Sequence, residues 1–153
     1  MINNIVTSDF SVAITIDDGN YSDYDIIYPV LKANNLTATF FLLADNKSGY
    51  LNRDQAREMV KHGFSIASHG IEHRDLTKLS KTDQQYELEF SKRFIEEEIN
   101  QSVDFFSFPF GMYNRQTIES AKHAGYKAVL STDIKLNNPE SRPFLIHRWS
   151  VKR

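Results

Sequence analysis

Short β-rich runs alternate with helix-like runs along this sequence, and this order limits the fold more than any other feature. The runs rich in β-branched and aromatic residues span 11–16, 37–43, 64–67, 103–108, 126–131 and 144–151. The helix-like runs between them span 23–34, 52–62, 80–100 and 114–124. A repeated order of strand and then helix predicts an α/β domain with a mainly parallel sheet.

Residues at the predicted helix ends agree with these boundaries. Asn52 and Ser80 have side chains suited to capping the N-termini of the second and third helices. Gly63 follows the second helix at a position that favours a left-handed backbone. Pro29 lies inside the first helix-like run, so this run is predicted to bend or to begin late.

Polar or glycine-containing groups follow four of the predicted strands. They are Asp17 with Asp18, His69 with His73, the segment Pro109-Phe110-Gly111, and Asp133. In parallel α/β folds, ligands bind and catalytic residues collect at the edge formed by the C-terminal ends of the strands. We therefore expect these groups, which are distant in sequence, to converge in space.

Asp17 and Asp18 are adjacent carboxylates at a predicted strand end. Neighbouring residues on an extended backbone point to opposite sides, so one is expected to bind a metal while the other faces the substrate. The Asp-Gly pair formed by Asp18 and Gly19 is also typical of a polar turn. The pair alone leaves both interpretations open.

His69 and His73 are four residues apart and would share one face if this stretch is helical. With one carboxylate they form a set of three ligands that leaves room for an activated water. Two surface histidines are the alternative. The stretch also matches the His-x-x-Glu-His pattern of inverted zinc peptidases, in which Glu72 would be the general base on a long helix.

Two further groups are candidates for the chemistry around such a metal. The segment 109–111 either presents the backbone N–H of Phe110 as an oxyanion donor or forms only a rigid turn. His147 lies in the last predicted strand and is either a proton donor or an ordinary strand residue.

Composition excludes several classes of protein. The chain has 153 residues, 41% of them apolar, which predicts a single domain over 1–153. Because there is no cysteine, neither a thiolate nucleophile nor a cysteine-ligated metal is available. A net charge of −2 gives no support for nucleic-acid binding. No apolar run approaches the roughly 20 residues of a membrane span, and no signal peptide is visible.

Taken in order, the motifs resemble those of the polysaccharide deacetylase family, the NodB-homology carbohydrate esterases. Residues 15–19 (Thr-Ile-Asp-Asp-Gly) are similar to the family's Thr-Phe-Asp-Asp-Gly, and residues 69–73 (His-Gly-Ile-Glu-His) to its His-Ser/Thr-x-x-His. Residues 107–111 (Ser-Phe-Pro-Phe-Gly) are similar to its Arg-x-Pro-Tyr-Gly, and residues 145–147 (Leu-Ile-His) to its late Leu-x-His. The resemblance covers nearly the whole chain.

The resemblance implies a distorted (β/α) barrel, which the short chain would leave incomplete, and a metal-dependent hydrolase that removes N-acetyl groups from amino sugars of a glycan. The ion is usually zinc in the family, and most members act outside the cytoplasm. The implied roles are catalytic base for Asp17, metal ligands for Asp18, His69 and His73, oxyanion donor for Phe110 between Pro109 and Gly111, and general acid for His147.

Three positions depart from the family pattern. Ser107 stands where many members have the arginine that orients the base, and Phe110 replaces a tyrosine. Asp133 is similar to the fourth family motif but lacks its usual tryptophan partner. These departures motivate a second hypothesis, a metal-containing glycan-binding domain without turnover. The oligomeric state, the glycan and the compartment do not follow from the sequence.

Overall fold

A parallel sheet of six strands in the order β1-β2-β3-β4-β5-β6 forms the centre of the computed structural model. The structure describes residues 12–44, 49–137 and 143–151. The strands are β1 Thr15–Asp18, β2 Thr39–Leu42, β3 Ser65–Ser68, β4 Phe105–Ser107, β5 Ala128–Leu130 and β6 Leu145–Ile146. Every pair of neighbouring strands is parallel, as the alternation of strands and helices predicts.

Helices connect most of the strands. They are α1 Tyr28–Ala33, α2 Arg53–Lys61, α3 Lys81–Ile99 and α4 Arg115–His123. The helical run begins before α1, because the π-helical turn Asp23–Ile27 leads directly into it. The predicted late start is therefore wrong: Pro29 lies in the first turn of α1, and the irregularity of this run is the π-helical turn that precedes it. No described helix is long and apolar enough to cross a bilayer.

Side chains at the helix ends explain where α2 and α3 begin. The Asn52 side chain accepts hydrogen bonds from the backbone N–H groups of Asp54 and Gln55, and the Ser80 hydroxyl accepts one from Asp83. Gly63 has φ +84°, the left-handed conformation expected after α2. These three sequence predictions are confirmed.

The two faces of the sheet bury different sets of side chains. Phe40 on β2 belongs to a large cluster that includes Met59 of α2 and Leu88 of α3, so this face packs against the helices. Phe41 points to the opposite face and packs with Ala67, Leu130 and Ile146 from β3, β5 and β6. This second cluster, built only from strand residues, is the interior of a curved, incomplete barrel.

The predicted strand boundaries need correction at both ends of the sheet. The first strand was expected to end before Asp17, but β1 includes both Asp17 and Asp18. Residue 11 of the predicted run lies outside the described residues. The last strand was expected to continue to residue 151, but β6 ends at Ile146. The next residues therefore lie beyond the end of a strand, where polar side chains are free to enter a site.

Gly111 makes a close backbone contact that a larger residue cannot make. It has φ +69°, and a Cβ atom there would lie 1.9 Å from Thr132 Oγ1. We expect Gly111→Ala to lower the free energy of unfolding by about 2–4 kcal/mol, from backbone strain and overpacking together. Urea denaturation would measure the change.

Gly63→Ala is the matched control for this prediction. Gly63 also has a positive φ, but nothing lies within 4 Å of a Cβ built there. Only the backbone term remains, so a loss of about 1 kcal/mol is expected. Equal losses in the two variants would show that the contact with Thr132 is unimportant.

Candidate metal centre and active site

Asp18, His69 and His73 meet at the C-terminal edge of the sheet. Asp18 ends β1, His69 directly follows β3, and His73 lies in the loop beyond it. The Nε2 atoms of both histidines lie 3.5 Å from Asp18 Oδ1. One ligand atom from each residue falls within 4.8 Å of the others. Ligands around a tetrahedral zinc ion are about 3.4 Å apart, so these residues fit a divalent ion.

His69 is held in the orientation that a metal ligand needs. Its side chain is buried, and Nδ1 lies 2.7 Å from the backbone carbonyl oxygen of Ser107. A carbonyl only accepts hydrogen bonds, so Nδ1 carries the proton and donates it. The lone pair of Nε2 therefore points toward Asp18 and is available to an ion.

The ionisation of the other two ligands also suits a cation. Burial lowers the pKa of His73, and the neighbouring charge of His69 lowers it further, which favours the neutral imidazole that binds metals. A hydrogen bond with His69 lowers the pKa of Asp18, which therefore remains a carboxylate. The Phe110 ring packs edge-on against His73, with centroids 4.4 Å apart.

The geometry that brings the histidines together differs from the predicted one. The stretch from His69 to Asp75 contains no helix, so a shared helical face is the wrong explanation for their convergence. His73 has φ +58° instead, and this left-handed backbone directs its side chain back toward His69. The inverted zinc peptidase needs a long helix here, and Glu72, its proposed base, is exposed.

Left-handed backbone conformations are concentrated in this site. Five described residues other than glycine have positive φ, and two of them, Asn35 and Asn100, are asparagines that tolerate it. The other three are Asp18 at +81°, His73 at +58° and Phe110 at +59°. Strain of this kind commonly marks functional sites, because the surrounding structure must maintain it.

The Asp17 carboxylate lies beside the three ligands. Its Oδ2 atom is 4.0 Å from His69 Nε2, close to the 3.5 Å of Asp18 Oδ1. The expectation that Asp17 and Asp18 point to opposite sides is therefore wrong. Asp18 leaves the extended conformation, with φ +81°, and both carboxylates approach the same imidazole.

Arg148 and Ser107 hold the Asp17 carboxylate. The guanidinium of Arg148 donates from Nη1 to Oδ1 at 2.8 Å and from Nη2 to Oδ2 at 2.7 Å. The Ser107 hydroxyl donates to Oδ2 at 2.9 Å. Burial acts to raise the pKa of Asp17, but the hydrogen bonds and charge of Arg148 and the charge of His69 outweigh it, and the pKa is lowered.

Sequence reasoning missed Arg148. The predicted last strand ran to residue 151 and placed Arg148 inside a strand rather than at a strand end. Because β6 ends at Ile146, Arg148 lies just past the carboxyl edge of the sheet, as His69 does, and close to Asp18 at the end of β1. The rule that selected the other site residues would have selected Arg148 had the strand boundary been correct.

His147 and Asp133 lie side by side. His147 Nδ1 is 3.2 Å from Ser131 Oγ and 3.8 Å from Asp133 Oδ2. The Tyr113 hydroxyl donates to Asp133 Oδ2 at 2.6 Å, and this bond raises the pKa of Tyr113. The Asn137 side chain pairs with both backbone polar groups of His147. His147 is therefore a positioned side chain next to a carboxylate.

The segment Pro109–Gly111 forms a single 3-10 turn after β4. Both Phe110 and Gly111 have a left-handed backbone in this turn, and the side chain of Phe110 is 62% exposed. Its ring covers one side of His73, which places the turn beside the ligand group. Phe110, whose backbone N–H is the predicted oxyanion donor, thus lies beside one of the expected metal ligands.

Known proteins are similar to this chain in sequence and in fold. A family model for polysaccharide deacetylases matches residues 4–129. The chain belongs to the polysaccharide deacetylase family. It is 34% identical over 146 residues to Bacillus subtilis (strain 168) YxkH, covering 94% of this chain and 52% of that protein. It is 25% identical to the Staphylococcus aureus (strain MRSA252) poly-beta-1,6-N-acetyl-D-glucosamine N-deacetylase, covering 90% of this chain and 53% of that one.

Solved structures confirm the predicted barrel fold. The Streptococcus pyogenes deacetylase PplD in complex with acetate superposes with a TM-score of 0.87 at 27% identity, over 95% of this chain and 66% of that one. IcaB from Ammonifex degensii shares the fold, with a TM-score of 0.83 at 22% identity, over 92% of this chain and 67% of that one. The chain spans about half the length of the curated relatives YxkH and the Staphylococcus aureus enzyme.

The buried carboxylate of Glu87 is hydrogen-bonded to the loop of residues 69–75, which carries His73. Glu87 of α3 is 2% exposed, and its Oε2 accepts a hydrogen bond from the Ile71 N–H at 2.8 Å. Arg74 lies 3.7 Å from the other oxygen. We expect Glu87→Leu to weaken zinc binding about 10-fold, as loss of an outer partner commonly does, because the loop loses its anchor. Competition with a chromophoric chelator would measure this.

Glu87→Gln and Glu97→Gln are the matched controls for the loop anchor. The first keeps an oxygen that can accept from Ile71 N–H, so it should retain most of the zinc affinity. The second changes an exposed residue of the same helix and should have no effect. If Glu87→Leu lowers only the unfolding temperature and leaves zinc affinity intact, Glu87 supports the fold and not the site.

Proposed function

We propose that this chain is a metal-dependent deacetylase that removes N-acetyl groups from amino sugars of a glycan. The observation that carries the proposal is the ligand group Asp18, His69 and His73 with a second carboxylate, Asp17, at 4.0 Å from His69 Nε2. A relative named as a poly-beta-1,6-N-acetyl-D-glucosamine N-deacetylase supports the class of substrate. Hydrolysis of an amide needs an activated water, a base for its proton and an acid for the amine.

The donor set suggests which ion would be held. Two imidazole nitrogens and one carboxylate oxygen form a set that suits zinc and other divalent transition ions. When bound, such an ion would polarise the acetamide carbonyl and lower the pKa of a water molecule. His69 and His73 would bind through their Nε2 atoms and Asp18 through Oδ1.

The residues around the ligand group would handle the protons and the developing charge. Asp17 would accept the proton of the attacking water, because it is ionised and adjacent to the ligands. The backbone N–H of Phe110 would donate to the oxyanion. His147, beside Asp133, would give a proton to the leaving amine.

The binding-only alternative loses its main motivation. It rested on Ser107 replacing the arginine that orients the base in many family members. Arg148 contacts both oxygens of Asp17 and also donates to Ser107 Oγ at 2.7 Å. An arginine therefore accompanies the proposed base in this chain, although it comes from another part of the sequence, and this supports turnover.

Acetate release tests the proposal directly. Zinc- or cobalt-loaded protein would be incubated with N-acetylated β-1,6-glucosamine oligomers, chito-oligosaccharides and O-acetylated xylan, with enzymatic detection of acetate. Release from an N-acetylated substrate is expected. Release from xylan alone would indicate an O-acetyl esterase. Glycan binding without acetate release from any of the three substrates would support a domain without turnover.

A further inference from the structure

Both oxygens of the Asp17 carboxylate accept hydrogen bonds from distant parts of the sequence, namely β4 and the segment after β6. Oδ1 accepts from Arg148 Nη1, while Oδ2 accepts from Arg148 Nη2 and from the Ser107 hydroxyl. A two-point contact between guanidinium and carboxylate defines the plane of the carboxylate as well as its position. Asp18 has no such contact with Arg148 among the described hydrogen bonds. The two neighbouring carboxylates are therefore held very differently.

Arg148 is itself held firmly enough to act as an anchor. Its Nε donates to the Ser131 carbonyl oxygen at 3.1 Å, and Nη1 also donates to Thr15 Oγ1 at 3.2 Å. The guanidinium lies 5.6 Å from the centroid of the Phe41 ring, on the interior face of the barrel. The side chain is only 13% exposed. A lysine could supply the charge but not this set of directed donors.

Without this anchor, Asp17 would compete for the metal. Asp17 Oδ2 is 4.0 Å from His69 Nε2, and ligand atoms around one zinc ion are about 3.4 Å apart. A small rotation of the side chain would therefore bring Asp17 into bonding distance of an ion held by Asp18, His69 and His73. A carboxylate bound to the ion would lose the lone pair that accepts a proton.

We propose that Arg148 is a positioning residue that, together with Ser107, keeps the Asp17 carboxylate off the metal and so reserves it for proton transfer. The role in proton transfer rests on the proposed function, whereas the exclusion of Asp17 from the ion does not. Ser107 occupies the motif position of the missing arginine, and its hydroxyl bridges Asp17 and Arg148. In this chain the segment after β6 therefore supplies the guanidinium.

Cobalt substitution makes the exclusion visible, because the visible absorption of Co²⁺ changes with the number and type of its ligands. The Co²⁺ spectrum of the wild-type chain would be compared with those of Arg148→Met and of Arg148→Met combined with Asp17→Ala. We expect Arg148→Met alone to change the spectrum and to bind the ion more tightly. The double variant should return to the wild-type spectrum, since the added ligand is gone.

Arg93→Met is the matched control, because it removes an exposed arginine of α3. It should change neither the spectrum nor the affinity. If Arg148→Met fails to fold, Arg148→Lys takes its place, with a spectral change in the same direction. An unchanged Co²⁺ spectrum and affinity in the folded Arg148 variant would overturn the proposal, as would a changed spectrum that Asp17→Ala does not reverse.

Kinetics separate this proposal from the proposed function. In an active enzyme, Arg148→Met should lower kcat by about 10- to 100-fold with little change in KM, since the base is misplaced while the substrate contacts remain. A wild-type chain that releases no acetate would refute the deacetylase function, yet the cobalt spectra would still decide whether Arg148 keeps Asp17 from the ion.

Discussion

Replacing Asp17 with asparagine is expected to reduce acetate release by about 10²- to 10⁴-fold while the metal remains bound. Asparagine has nearly the same shape, and its oxygen can still accept a hydrogen bond from Arg148. It cannot take a proton from the attacking water. Acetate assays at saturating zinc, combined with elemental analysis of the purified variant, would measure the two properties separately.

Asp54→Asn is a suitable control for the Asp17 variant. Asp54 lies on α2, its side chain is 87% exposed, and it should tolerate the same chemical change without loss of activity. Full activity in Asp17→Asn would mean that another group is the base. Loss of the metal together with activity would instead identify Asp17 as a ligand.

His69→Ala is expected to remove both the metal and the activity. His69 is the most buried of the three ligands, and its orientation depends on the hydrogen bond to Ser107. We expect zinc affinity to fall by more than about 100-fold, beyond the loss caused by removing an outer partner. Zinc competition would measure the affinity, and acetate release would measure the activity.

Thermal unfolding with and without zinc gives an independent test of the same ligand. An ion that binds only the folded protein raises its Tm, so zinc should stabilise the wild-type chain and leave His69→Ala unchanged. His123→Ala, which alters an exposed histidine at the end of α4, should respond to zinc like the wild type. Equal stabilisation of His69→Ala by zinc would place the ion elsewhere.

The order of elements and several boundaries were predictable because they depend on local residues. Asn52 and Ser80 cap helices through their own side chains, and Gly63 adopts a left-handed backbone conformation that residues with a Cβ atom avoid. Parallel pairing follows from the helices that separate the strands. The gathering of Asp18 and His69 at one edge followed from that topology.

The finer geometry of the site depends on contacts that local patterns do not contain. The backbone of His73 is left-handed, and the surrounding structure that maintains it includes Phe110, from a segment distant in sequence. The different roles proposed for Asp17 and Asp18 depend on Arg148, which approaches only one of them. A single sequence shows neither contact, so the family resemblance alone divided the roles.

The contact between Arg148 and Asp17 has a consequence for the order in which the site matures during synthesis. It joins residues separated by 131 positions, whereas the expected ligands Asp18, His69 and His73 all lie in the N-terminal half of the chain. Ribosomes deliver the N-terminal part first. The nascent chain would therefore contain the three expected ligands before the guanidinium emerges, and a product terminated before Arg148 would lack the arginine that anchors Asp17.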